Sequence, residues 1–276
     1  SPKSMKTLPS ILLGLVGLTL PLAAQTVVLE NSAQSSYTKN STSASVGSFD
    51  SSGGNYLIAI ATTGNNNVAT DPAVSDITFG DDSFTNLASA SIFGEESDRH
   101  SLTSVWYLAN PTGTDSVTAT FSSEADGSGL TVFSVSDAAP PENWLTDTSA
   151  GISKAATPDN IELSTSLSSV PSGSLLINGF ASTRGLKSIV YTDSLTRDGD
   201  LNYASDGGVA YASSISWIED GSGDYDFSAY LDAGDSGDNY SSTFSAIAVT
   251  AIPEPSTFAL FAGALGLGLV LLRRRR

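Results

Sequence analysis

The sequence predicts an all-β protein, an antiparallel β-sandwich of jelly-roll type, and three observations carry that expectation. Short β-branched and aromatic runs recur through the middle of the chain, and helical periodicity is absent. Clusters of Gly, Asn, Asp, Ser and Pro separate those runs at short intervals. No cysteine is present, so the core must be held by burial alone. A body of about 228 residues is long enough for that.

Eight strands are expected, at 56–61, 75–79, 101–108, 116–121, 130–135, 174–181, 209–217 and 243–251. In 116–121 apolar and hydroxyl residues alternate strictly, which marks a strand with one face buried. Leu175, Leu176 and Ile177 form an unbroken apolar run, as in a central strand covered on both faces. Asn110-Pro111-Thr112-Gly113 and Asp220-Gly221-Ser222-Gly223 are turn sequences. The stretch 25–54 reads as a flexible lead-in, within which the Ser/Thr-rich 36–52 is alternatively a strand pair. A break near Ala138-Ala139-Pro140-Pro141 would leave two small halves, so 25–251 is taken as one sandwich domain.

The two ends carry export logic. Lys3 and Lys6 precede an apolar stretch, 8–20, and Pro21-Leu22-Ala23-Ala24 supplies a small-residue cleavage site, so 1–24 reads as a helical secretory signal peptide. At the other end Pro253-Glu254-Pro255 leads into an apolar run, 258–272, and then Arg273, Arg274, Arg275 and Arg276. That run is read as a short transmembrane helix, below the about 20 residues a span usually needs. The arginines would stay on the cytoplasmic side and leave the body outside the inner membrane.

This arrangement of 252–276 resembles the PEP-CTERM sorting signal. The resemblance implies processing near the Pro-Glu-Pro box by an exosortase in a Gram-negative bacterium that makes exopolysaccharide. Signal peptidase and the general secretion machinery are the other partners it implies, and contact with the inner membrane is transient. The strands over 56–121, with Ser216-Trp217 and Ala246-Ile247-Ala248-Val249, also resemble a β-sandwich module of bacterial surface proteins, which implies no catalytic residues.

Charge narrows the partners. Between the two ends lie six basic and 28 acidic residues, a net charge of −22. Such a surface argues against nucleic acid, whose affinity comes from cationic contacts to phosphate. It fits a soluble secreted protein or one that binds divalent cations. Calcium is the cofactor to test. Asp198, Asp200 and Asn202 have alternate-position oxygen ligands, although the Gly and Glu of a full calcium loop are replaced by Tyr203 and Val209. Asp220, Asp224 and Asp226, with Glu219, form a second acidic group, and Asp232, Asp235 and Asp238 a third. Solvated turns are the default reading of all three. Trp144, after Pro140-Pro141-Glu142-Asn143, is the candidate exposed platform for stacking a sugar, whereas Trp106 and Trp217 are expected in the core.

His100 is the single histidine and lies in a polar stretch, so neither a Ser/His/Asp triad nor a structural zinc site can be argued. The expectation is an exported, non-catalytic surface or matrix protein that associates with exopolysaccharide in biofilm. The alternatives are a calcium-assisted carbohydrate-binding module and a glycoside hydrolase using two carboxylates.

Overall fold

The computed structural model describes residues 25–65, 72–94, 99–153, 162–183, 189–204, 211–231 and 240–252. The signal segment and the tail from Pro253 onward lie outside them. Among the described residues there is no α-helix, only a single 3-10 turn, Pro141–Asn143, and no helix long and apolar enough to cross a membrane.

Local sequence explains the strands. In Thr114–Ala125 the side chains of Val117, Ala119 and Phe121 are buried, while Ser116 and Thr120 face out. Each large apolar side chain withdrawn in this way contributes about 1.5–3 kcal/mol, so the pattern fixes which face turns inward. Tyr240–Val249 is buried at every position, which requires covering layers on both sides.

All sheets are antiparallel. The first inner sheet uses β1 (Val28–Gln34), β3 (Tyr56–Asn65), β6 (Thr85–Gly94), β7 (Arg99–Ala109) and β9 (Gly127–Ser136), in the order β1-β9-β3-β7-β6. A first outer sheet of β2 (Ser41–Asp50), β4 (Val74–Phe79), β5 (Asp82–Ser83) and β8 (Thr114–Ala125) has the order β2-β8-β4-β5. The second half supplies β10 (Leu145–Ser153), β11 (Leu163–Ser182), β12 (Ile189–Tyr191), β13 (Gly199–Ala204), β14 (Ala212–Leu231) and β15 (Tyr240–Val249). They run β10-β15-β11-β14-β12, with β13 also on β14.

β11 and β14 are long because each serves two layers. Their pairing slips between Leu167 and Leu176, where Ser169 and Gly173 on one strand and Asp220 and Gly223 on the other have positive φ. Both strands fold over there. Leu163, Leu167 and Phe227 from one side of the bend join one core with Leu176, Phe180 and Phe244, and the Asp147 carboxylate of β10 accepts the Ser166 N–H at 2.7 Å. The second half is therefore a sandwich in its own right.

Its strand order repeats the first. The inner order β1-β9-β3-β7-β6 is matched by β10-β15-β11-β14-β13, and the outer β2-β8-β4 by the far halves of β11 and β14 with β12. Residues 104–121 and 214–231 correspond at a constant spacing of 110. Buried Val117, Ala119 and Phe121 match buried Phe227, Ala229 and Leu231. The turn repeats as well: Asn110 and Gly113 have φ of 52° and 82°, and Asp220 and Gly223 have 55° and 92°. A positive φ at the fourth position is a geometry that glycine adopts without steric cost. The chain is thus a tandem pair of sandwiches, and 25–54 is ordered as β1 and β2 of the first.

The inner sheets pack face to face. Ile58, Ile60, Val105, Phe133 and Val135 meet Leu175, Ile177, Ile215, Ile247 and Val249. Gly179 faces Ile60, the Phe133 ring meets Trp217 at 5.6 Å, and Thr103 Oγ1 lies 2.8 Å from Thr243 Oγ1. So β3 opposes β11, β9 opposes β14 and β7 opposes β15, as a pseudo-twofold axis parallel to the strands requires.

That symmetry gives the pair two unlike ends. At one, here the base, lie Tyr56, Ala109, Ser136, Leu175 and Val249. The link 137–144 and both ends of the described body are there: Val27 N–H donates to Gly173 O and Ile252 N–H to Asp137 O. At the other, the crown, lie Asn65, His100, Ser182 and Ala212. All six internal segments outside the described residues join strand ends at the crown.

Candidate functional site

The predicted ligand residues that the structure describes are spread over β13 and the bend of β14. Asp198 and Asp200 are exposed on or beside β13, with Asn202 further along the same strand. Alternate positions of an extended strand share one face about 7 Å apart, a geometry unlike the enclosing turn of a calcium loop. Asp198 instead accepts the Glu219 N–H at 2.6 Å. Asp220 occupies the positive-φ position of the β14 bend. Asp224 accepts the Ser169 N–H at 2.7 Å, and Asp226 accepts the Ser166 hydroxyl at 2.8 Å. These carboxylates hold the folded-over strands in place. Bends and bulges leave backbone N–H groups without a ladder partner, and an acidic neighbour satisfies them. Among the described residues no three of His, Cys, Asp and Glu are grouped to hold a metal. Asp232, Asp235 and Asp238 lie outside the described residues, as do Pro253, Glu254, Pro255, Arg273, Arg274, Arg275 and Arg276.

Trp144 is not an open platform. It is only 7% exposed, its ring stands edge-on to Tyr56 and Tyr107, and its Nε1–H donates to Ala139 O at 2.8 Å. It plugs the base of the interlayer beneath the link, which a surface reading of Pro140-Pro141-Glu142-Asn143 misses. Trp106 and Trp217 are partly buried against the first core and the interlayer. His100 is 1% exposed on β7, not in a solvated stretch.

The described residues do build one polar feature that sequence reasoning overlooks. Toward the crown the interlayer changes from Ile, Val and Phe to hydroxyls. Tyr211 Oη bonds Thr62 Oγ1 and, at 3.0 Å, Ser213 Oγ. Ser101 Oγ lies 3.1 Å from Thr243 Oγ1 and donates to Ala181 O at 3.0 Å. Thr131 Oγ1 and Ser245 Oγ are buried with no hydrogen-bond partner in the protein. They occupy equivalent places, Thr131 on β9 and Ser245 on β15. Tyr37 stacks on Tyr211 with ring centroids 5.8 Å apart and closes the seam. Burial, and then the Asp126 carboxylate, push the Tyr37 phenol upward, so it stays a neutral donor. Among the described residues the side chains named in this seam carry hydroxyls, which can hydrogen-bond to water or a polyhydroxyl group. Alternating Ser and Thr were legible on single strands, but their meeting across two sheets was not.

No protein-family model, curated protein or solved structure matches the chain.

Proposed function

We propose that this chain is an exported, non-catalytic surface or matrix protein, processed at its Pro-Glu-Pro box by an exosortase-type enzyme and associated with exopolysaccharide. The reading treats each sandwich as a jelly roll. Its support is the strand order β1-β9-β3-β7 over β2-β8-β4-β5, with chain neighbours divided between the two layers. The observation that carries the function is the Pro-Glu-Pro box with the apolar run and the four arginines after it. Among the described residues Ile252, next to that box, is held at the base by its bond to Asp137 O at 3.0 Å. Cleavage at the box would leave the crown on the far side from the membrane. A non-catalytic role is supported by Asp198 and Asp224, whose carboxylates accept backbone N–H groups. For a calcium-assisted carbohydrate module Trp144 offers no stacking face, since it is buried.

The test is expression in an exopolysaccharide-producing Gram-negative host, with and without its exosortase-type enzyme. Mass spectrometry of the extracellular chain should find a C-terminus within 252–257 only when the enzyme is present, and Pro253→Ala with Pro255→Ala should hold the chain in the membrane fraction. A released chain that keeps 258–276, or no enzyme dependence, refutes the proposal.

A further inference from the structure

We infer that the base of the sandwich pair rests on a lipid surface while the tail is embedded. This inference depends on the sorting-tail reading above and adds the face the protein turns to the bilayer.

Three observations lead to it. The large hydrophobic side chains exposed among the described residues are Val28 and Ile252, each 41% exposed. Both lie at the base and close together: Val28 is registered opposite Ser136, and Ile252 bonds the neighbouring Asp137. Behind them stand half-buried Tyr56 and Tyr107, packed on Trp144. Aromatic rings with a polar edge suit the boundary between headgroups and acyl chains.

Tether length says what covers this patch. Five residues, 253–257, separate Ile252 from the apolar run that starts at Phe258. Fully extended they span about 20 Å. With 258–272 in the bilayer, the base can stand no further from it than that, whereas the crown lies roughly another 30 Å away along ten-residue strands. Two exposed aliphatic residues are a weak anchor alone, but beside an embedded span they need only orient a body already held at the surface. Glu30, Asp50, Asp137 and Glu142 flank the same end, so the contact favours zwitterionic over anionic lipid.

The native chain has no cysteine, so single probes can be placed at will. The chain from residue 25 onward, carrying a fluorophore at Val28→Cys or at Lys39→Cys, an exposed crown position, is reconstituted into phosphatidylcholine vesicles containing headgroup nitroxide lipid. Flotation first shows whether the tail holds the chain on vesicles. The probe at residue 28 should lose emission about twofold or more, because it would lie within the roughly 5–10 Å interfacial zone, and the one at residue 39 should not change. Replacing part of the lipid by phosphatidylglycerol should weaken the quenching at 28. A chain that floats with both probes equally quenched, or neither, overturns the inference and leaves the tail reading intact. A chain that does not float overturns both.

Discussion

The two sandwiches share a strand order and differ inside. The first is filled with Phe49, Leu57, Phe79, Phe84 and Phe121, with Trp106 packed against them. In the second, Ser216 stands where the first has Trp106, and the space goes to Arg197. Its guanidinium lies 3.7 Å over the Tyr191 ring, donates through Nε to Ser216 at 2.9 Å, and grips Asp193 through both remaining nitrogens at 2.8 and 2.6 Å. Asp193 also accepts the N–H groups of Ser228 and Leu195. Asn178 extends the network by accepting from Ser216. One topology therefore tolerates two kinds of filling, on the condition that the polar one is almost wholly satisfied. In the second sandwich the connection 192–198 is held by an ion pair, where its counterpart in the first, 80–84, is held by a phenylalanine plug.

Breaking that ion pair should give the largest effect. Side chains 12% and 4% exposed make the Arg197–Asp193 pair a buried one. Asp193→Ala leaves a stranded guanidinium and should cost about 3–5 kcal/mol, whereas Arg197→Met with Asp193→Leu should stay within about 1 kcal/mol of the parent. Urea unfolding of the three chains checks this, and equal losses in both variants would show that the pair contributes more than shape.

The shared interlayer comes next. A Cβ on Gly179 would lie 2.9 Å from Ile215 Cδ1, 3.2 Å from Ile60 Cγ2 and 3.3 Å from Thr103 Cγ2. Gly179→Val should cost about 1–3 kcal/mol through overpacking. Because the strain lies between the sandwiches, hydrogen exchange should quicken on β3 and β11 together. Quickening on β11 alone would mean that the two sandwiches respond independently.

Smaller and opposite in sign is Thr131→Val with Ser245→Ala. Both hydroxyls are buried without partners, so their removal should leave stability unchanged or raise it by about 1 kcal/mol. A loss in the melting temperature would show that the seam is hydrated. The smallest effect concerns the 51–55 connection of the first sandwich. There the Ser52 N–H and hydroxyl hold the exposed Asp50 carboxyl below its ordinary range; the matching 171–174 bend has no carboxylate of its own. A lowered folded pKa stabilises above the unfolded value and is lost as pH falls through the folded one. Asp50→Asn should therefore slightly flatten the acid side of the melting-temperature profile and leave neutral pH almost unchanged.

The strands recognised in advance were those with concentrated apolar residues, such as Tyr56–Asn65 and Thr114–Ala125. Those overlooked were hydroxyl-rich or acidic: β1, β6, β10 and the outer halves of β11 and β14. In Leu163-Ser164-Thr165-Ser166-Leu167 the inward set is spaced by serines, and in Asp224-Tyr225-Asp226-Phe227 acidic residues mask the inward Phe227. The duplication was not read in advance, although two four-residue turns stand 110 residues apart. Four residues are too few to declare a repeat until their φ angles and ladders match.

By itself the sequence determined what depends on near neighbours: the alternation that turns one face of each strand inward, the left-handed turns at 110–113 and 220–223, and the export signals expected at both ends. Tertiary structure alone decided what depends on a second layer. It buried Trp144 and His100, turned Asp193, Asp198 and Asp224 from candidate or unremarked carboxylates into acceptors for stranded groups, and paired Thr131 with Ser245 about a hidden axis. Burial is set by whatever covers a face. Here the cover comes from strands far away in the chain, as Phe133 on Trp217 and Thr103 on Thr243 show, beyond the reach of any local pattern.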